Sequence, residues 1–211
     1  MALENFFDRI ATLPIVLIAI ALFTVANIVI SILNPKKKIQ ESLNSSHVTY
    51  FAAGTSFGYE PKQLYAMLDA FNKQPDGEML RDEYRRFFYY DFVYPWIYGL
   101  SLAVILAYLQ KKWNMPEAGS AIEPMRMHYL WVLPLAAMVF DYAENISLLL
   151  VLKNYKGEPL PLLVGFSRLM TILKLLFIYA SLFLFLCLIG LWIWDAVKPL
   201  FVKSANQSAS P

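Results

Sequence analysis

Four long apolar segments constrain the fold of this sequence more than any other feature. They lie at about 13–33, 87–109, 129–152 and 169–194. Each is long enough to cross about 30 Å of hydrocarbon as a helix that rises about 1.5 Å per residue. The chain is therefore predicted to be an all-α membrane protein with four transmembrane helices.

The composition agrees with this prediction. The chain of 211 residues is 58% hydrophobic and 16% charged, whereas soluble proteins are typically about 45–50% apolar and about 25% charged. The net charge of +2 is too small to indicate a nucleic-acid partner, so the expected partner is the lipid bilayer. We assign residues 1–203 to a single membrane domain and the small, polar residues 204–211 to a disordered tail.

The first loop, residues 34–86, contains a predicted amphipathic helix at about 61–73. Pro61 stands near its start, and Leu64, Leu68 and Phe71 follow with the spacing of one helix face. That apolar face needs burial, so we expect the short helix to lie on the membrane surface or to cap the bundle.

Basic residues are distributed unequally between the two sides of the predicted bundle. Eleven lysines and arginines fall on the side of the loops 34–86 and 153–168, against six on the side that holds both termini. The positive-inside rule then predicts that both loops are cytoplasmic, with a bacterial inner membrane as the expected location.

Polar residues interrupt the apolar segments at similar depths. Asp141, Glu144 and Asn145 lie on one face of the third helix, because positions i, i+3 and i+4 align. Counted from the loop side, the polar groups of the other three helices fall in the same half of the bilayer. We therefore predict a shared polar pocket lined by Asp91, Asp141, Glu144, Asn145 and Lys174, with Asn27, Tyr98 and Thr171 in support.

This predicted pocket holds three carboxyls and one lysine. Burying unpaired carboxylates is costly, so at least one should be protonated or should bind a cation. Ionisable residues inside a membrane are functional by default, and we expect the pocket to bind or relay a cation, a proton or a small polar headgroup. Lys174 is expected to pair with Glu144, with Asp91 as the alternative partner.

Two other functions remain open. An intramembrane enzyme could modify a lipid, with Glu144 or Asp91 as its acid or base. A structural or interaction protein could use the same polar residues only to fix helix packing. No metal site or disulfide is predicted, because the chain has two histidines, His47 and His128, and a single cysteine, Cys187.

Several short motifs, in order, carry a family resemblance over about residues 58–180. They comprise Tyr84, then Asp91, Pro95 and Tyr98, then Asp141, Glu144 and Asn145, and finally Thr171 and Lys174. Together they resemble an uncharacterised family of four-helix integral membrane proteins with Asp-x-x-x-Pro, Asp-x-x-Glu-Asn and Thr-x-x-Lys motifs. The resemblance implies the four-helix layout and this choice of residues, and it implies no activity.

Overall fold

The computed structural model describes residues 2–43, 59–114 and 129–208. Within these ranges the chain contains helices and no β-strand, so the predicted all-α fold is confirmed. In chain order the helices of these ranges are α1 (Ala2–Ile10), α2 (Leu13–Leu33), α3 (Lys36–Leu43), α4 (Pro61–Lys73), α5 (Gly77–Asp91), α6 (Tyr94–Asn114), α7 (Val132–Asn154) and α8 (Pro161–Ser208).

Four helical stretches are long and apolar enough to cross a membrane. They are Leu13–Leu43, Gly77–Trp113, Val132–Asn154 and Pro161–Trp194. The chain is therefore a multi-pass membrane protein, as predicted. Of the predicted segments, 13–33 coincides with α2, and 129–152 lies within three residues of α7 at each end.

The second apolar segment is broken rather than continuous. α5 ends at Asp91 and α6 begins at Tyr94, with Phe92 and Val93 forming a turn between them. Pro95 follows in the first turn of α6, where its missing N–H removes no intrahelical hydrogen bond. The predicted helix 87–109 thus combines the last turn of α5 with most of α6, and Asp91 stands at the break.

The last helix is longer than the predicted segment 169–194. α8 begins at Pro161, a residue whose fixed φ favours the first helical position, and continues to Ser208. The predicted loop 153–168 is therefore reduced to residues 155–160. The helical backbone also extends into the segment 204–211 that was predicted to be a disordered tail, of which residues 209–211 lie outside the described ranges.

One end of the bundle is covered by α1, a helix that the sequence analysis did not predict. Phe7 is buried and its ring stacks on Trp131 at the start of α7, with centroids 4.6 Å apart. Lys111 near the end of α6 donates a hydrogen bond to the carbonyl of Asp8 over 3.1 Å. α1 therefore packs where α6 ends and α7 begins.

The opposite end is covered by α4, the predicted amphipathic helix, together with α3 and most of α5. Leu64, Leu68 and Phe71 of α4 are buried in one apolar core with Leu148 and Leu152 of α7. The apolar face of α4 is thus buried against the bundle. We call this end, formed by residues 36–43 and 59–88, the α4 cap.

Polar contacts attach the α4 cap to the end of α7. Arg81 donates hydrogen bonds to the carbonyl of Leu152 over 3.2 Å and to Oδ1 of Asn72 over 2.5 Å. The hydroxyl of Tyr155 donates to Oδ1 of Asp69 over 2.6 Å. Burial, together with this hydrogen bond, raises the pKa of Tyr155 to about 12, because both disfavour the phenolate.

Candidate functional site

A buried ion pair joins α7 to α8. The Nζ atom of Lys174 lies 2.5 Å from Oε2 of Glu144 and 3.2 Å from Oδ1 of Asp141. The side chains are almost fully enclosed, with exposed fractions of 7% for Lys174, 1% for Glu144 and 4% for Asp141. The predicted contact between Lys174 and Glu144 is present, and Asp141 shares the same ammonium group.

Helical spacing places these groups on facing sides of two antiparallel neighbours. Asp141 and Glu144 are three residues apart on α7, so both point to the same side. On α8 the buried polar residues Ser167, Thr171 and Lys174 recur at intervals of four and three. Because the connection 155–160 is short, α7 and α8 pack as adjacent helices and bring these two stripes together.

Asp141 is also held from a third helix. The hydroxyl of Tyr98 on α6 donates to Oδ2 of Asp141 over 2.9 Å, and the tyrosine is buried. Both oxygens of Asp141 therefore have partners, one on α6 and one on α8. A hydrogen bond to a charged acceptor contributes about 1.5–3 kcal/mol, so Tyr98 both positions and stabilises this carboxylate.

Asp91 joins the group through an amide. The Nδ2 atom of Asn145 donates to Oδ2 of Asp91 over 3.0 Å. Asn145 is buried, while Asp91, at the end of α5, is partly exposed. Among the described residues no ion pair joins Asp91 to Lys174. We call Asp91, Asp141, Glu144, Asn145 and Lys174 the polar cluster.

The break between α5 and α6 has a polar partner that the sequence analysis missed. The hydroxyl of Tyr142 donates to the carbonyl of Phe92 over 2.5 Å, and the two rings stack at 5.6 Å. A helix break inside a bilayer leaves carbonyls that need donors. Pro95 is the sequence signal for this break, because proline disfavours a continuous helix through the residues before it.

The supporting residues differ in how closely they contact the polar cluster. Oδ1 of Asn27 accepts a hydrogen bond from Tyr94 over 3.0 Å, so Asn27 connects α2 to α6 rather than to a carboxyl. Thr171 donates to the carbonyl of Ser167 over 3.0 Å, within its own helix. Of the three supporting residues, Tyr98 donates to Asp141, and the side chain of Thr171 also lies within hydrogen-bonding reach of Glu144.

Glu144 carries the least satisfied polar atom of the cluster. Within the described ranges, its Oε1 atom has no hydrogen-bond partner. A buried polar atom without a partner costs about 1–3 kcal/mol. In proteins such atoms usually bind a water or carry a proton.

The charges of the polar cluster do not balance. The cluster holds three carboxyls and one ammonium group, which pairs with two of them, and Arg168 lies on an exposed part of α8. Full ionisation would leave excess negative charge in a low-dielectric region, which is strongly unfavourable. In the described part of the chain, no three acidic, histidine or cysteine side chains are arranged to hold a metal ion.

Two surface cavities lie apart from the polar cluster. They measure about 420 Å³ at the end of α2 and about 350 Å³ at the turn between α4 and α5, and they are lined by other residues. The long side chain of Lys174 occupies the space between Asp141 and Glu144. The predicted polar pocket itself stays a prediction.

Comparison of the chain with models of known families, with curated proteins and with solved structures finds no match. The family resemblance thus rests on its motifs alone and stays a prediction. The residues of those motifs do meet in space, since Asp91 contacts Asn145 and Lys174 contacts Asp141 and Glu144.

Proposed function

We propose that the polar cluster binds and relays a proton within the membrane. One observation carries the proposal. The polar cluster holds three carboxyls and one lysine, the lysine pairs with Asp141 and Glu144 alone, and Glu144 is almost fully buried. A carboxyl in such a place is neutralised most readily by a proton.

The packing favours a proton over a larger ligand. The ammonium group of Lys174 already occupies the position between Asp141 and Glu144 where a small cation would sit. A proton needs no additional space. A small cation or a small polar headgroup, the other two ligands we considered, would have to displace the lysine side chain.

Lys174 supplies a simple means of relay. Its ammonium group contacts both Asp141 and Glu144, so it can pair with whichever of the two is ionised. When Glu144 is protonated, Lys174 would pair with Asp141 alone. When Glu144 loses that proton, its ion pair with Lys174 would form again. Asp91 is partly exposed at the end of α5, on the side of the α4 cap. Its hydrogen bond from Asn145 of α7 connects it to the cluster.

The orientation of the chain is part of the same proposal. The α4 cap and the connection 155–160 lie on the side with eleven of the basic residues. Short basic loops are retained in the cytoplasm. We therefore propose that the α4 cap is cytoplasmic in a bacterial inner membrane, and that protons reach the cluster from that side.

Infrared spectroscopy of the protein in lipid tests for the proton directly. A protonated carboxyl shows a C=O stretching band that disappears on ionisation and shifts in D₂O. We expect such a band at neutral pH. It should be lost in Glu144→Gln if Glu144 carries the proton, and in Asp91→Asn if Asp91 carries it. The matched control is Glu158→Gln, which makes the same change at an exposed position and should leave the band unchanged.

The remaining functions predict different results. A purely structural cluster would give the band but no proton flux when the protein is reconstituted in vesicles with an imposed potential. A cation site would show stabilisation by one alkali ion over the others and no protonated carboxyl. Turnover of a membrane lipid that Glu144→Gln abolishes would indicate an enzyme. Absence of both the band and the flux would overturn the proton proposal.

A further inference from the structure

A second site of distinct character lies where α2 ends. A cavity of about 420 Å³ opens between the last turn of α2 and the start of α3. The residues that line it all have polar or charged side chains; they are Ser31, Asn34, Lys36, Lys37, Gln40 and Glu41. None of these residues belongs to the polar cluster.

The three consecutive lysines at the start of α3 differ in their ion pairing. Lys38 forms an ion pair with Glu83 of α5, with 2.6 Å between Nζ and Oε1. Lys36 and Lys37 are exposed, and within the described ranges neither has a carboxylate within 4 Å. Two ammonium groups and one carboxylate, that of Glu41, therefore line the cavity, which is electropositive on balance.

The exposed apolar residues beside the cavity favour a lipid as its ligand. α2 exposes its apolar side chains strongly, with 56% of Ile28 and 76% of Ile32 accessible, as expected for a lipid-facing helix. Asn34, Lys36 and Lys37 follow Ile32 within five residues, so we expect the cavity to lie at the level of the headgroups. A phospholipid whose acyl chains run along Ile28 and Ile32 would bring its phosphate to the two lysines.

We propose that this cavity binds the headgroup of an anionic phospholipid, with Lys36 and Lys37 contacting the phosphate. A lysine ammonium is a compact charge that suits phosphate, and basic residues just beyond a span are attracted to anionic lipid. The hydroxyl of Ser31 is available to hydrogen-bond the glycerol or headgroup oxygens. This site is independent of the proton proposal and would survive its failure.

Lipid retention by the purified full chain tests the proposal. Phosphatidylglycerol or phosphatidylcholine is added to the protein in a neutral detergent, and bound lipid is counted by native mass spectrometry. We expect phosphatidylglycerol to bind more tightly. The double variant Lys36→Gln, Lys37→Gln should weaken it roughly thirtyfold, the loss expected for two lysines at an anionic headgroup.

The control changes two exposed lysines outside the cavity, Lys62→Gln and Lys73→Gln on α4. It should leave lipid retention unchanged. An equal loss in the control, or equal binding of phosphatidylcholine, would overturn the proposal. Displacement of the lipid by an equal concentration of inorganic phosphate would assign the cavity to a free anion instead. If the double variant does not fold, Lys37→Gln alone should weaken binding roughly fivefold.

Discussion

Lys174 on α8 lies 2.5 Å from Oε2 of Glu144 on α7, and both side chains are buried in the membrane-spanning part of the chain. Removing one member of a buried pair strands the other charge, which typically costs about 3–5 kcal/mol. The pair therefore couples the stability of the bundle to the charge state of its polar cluster.

The first prediction is a double-mutant cycle on this pair. Lys174→Met and Glu144→Gln should each destabilise the protein, the lysine variant by about 3–5 kcal/mol. The double variant should recover part of the loss, because Glu144 is then no longer a stranded charge and only Asp141 lacks the ammonium group. Unfolding of the purified protein in detergent measures each free energy.

The same cycle with Asp91→Asn is the control for the first prediction. Within the described residues Asp91 contacts Asn145 and forms no ion pair with Lys174, so its coupling to the lysine should be weaker. The ion pair would be contradicted if each double variant, of Lys174 with Glu144 and of Lys174 with Asp141, lost as much stability as its two single variants together.

The second prediction concerns the hydroxyl of Tyr98. Tyr98→Phe removes the 2.9 Å hydrogen bond to Asp141 and leaves a buried carboxylate oxygen without its donor. We expect a loss of about 1–3 kcal/mol in the free energy of unfolding. Tyr89→Phe removes an exposed hydroxyl of α5 and should change stability by less than about 0.5 kcal/mol. Equal effects of the two variants would argue against a stabilising bond at Asp141.

The third prediction tests the turn between α4 and α5. A Cβ atom on Gly77 would overlap the carbonyl of Phe71, and backbone atoms cannot move aside as a side chain can. Gly77→Ala should therefore destabilise the α4 cap and speed hydrogen exchange across residues 61–73. Gly165→Ala meets nothing within 4 Å on α8 and should be neutral or stabilising by up to about 1 kcal/mol. Unchanged exchange in Gly77→Ala would show that the cap tolerates the overlap.

The fourth prediction is a pH dependence at Tyr155. Burial and the hydrogen bond to Asp69 raise its pKa to about 12 in the folded protein, against about 10 in an unfolded chain. A raised pKa contributes stability that is present below about pH 10 and is lost as the pH rises through about 12. The stability difference between the wild type and Tyr155→Phe should therefore shrink over this window. A stability difference that stays constant over this pH range would mean that folding does not change the pKa of Tyr155.

The fifth prediction tests the orientation. In a Cys187→Ser background, a single cysteine at Asn5 of α1 should react with a membrane-impermeant thiol reagent on intact cells. A single cysteine at Glu158, in the connection on the α4 cap side, should react only after the cells are opened. Both positions are exposed, so access to water is matched. The reverse labelling pattern would reject a cytoplasmic cap.

Local pattern was sufficient for much of the fold. The segment 13–33 coincides with α2, and the spacing of Leu64, Leu68 and Phe71 identified α4. The pattern did not identify α1 or α3, because these short helices depend on contacts outside the local segment. α1, for example, is a short helix whose Phe7 is buried against Trp131 and apolar residues of α2 and α6.

The sequence by itself determined which residues share a helix face and roughly how deep they lie. Asp141, Glu144 and Asn145 were placed together by the 3.6-residue period, since that depends only on helical geometry. Tertiary structure decided the partners. Rotation and offset between helices are set by packing of whole surfaces, so only the folded bundle shows that Lys174 contacts two carboxyls while Asn145 contacts Asp91.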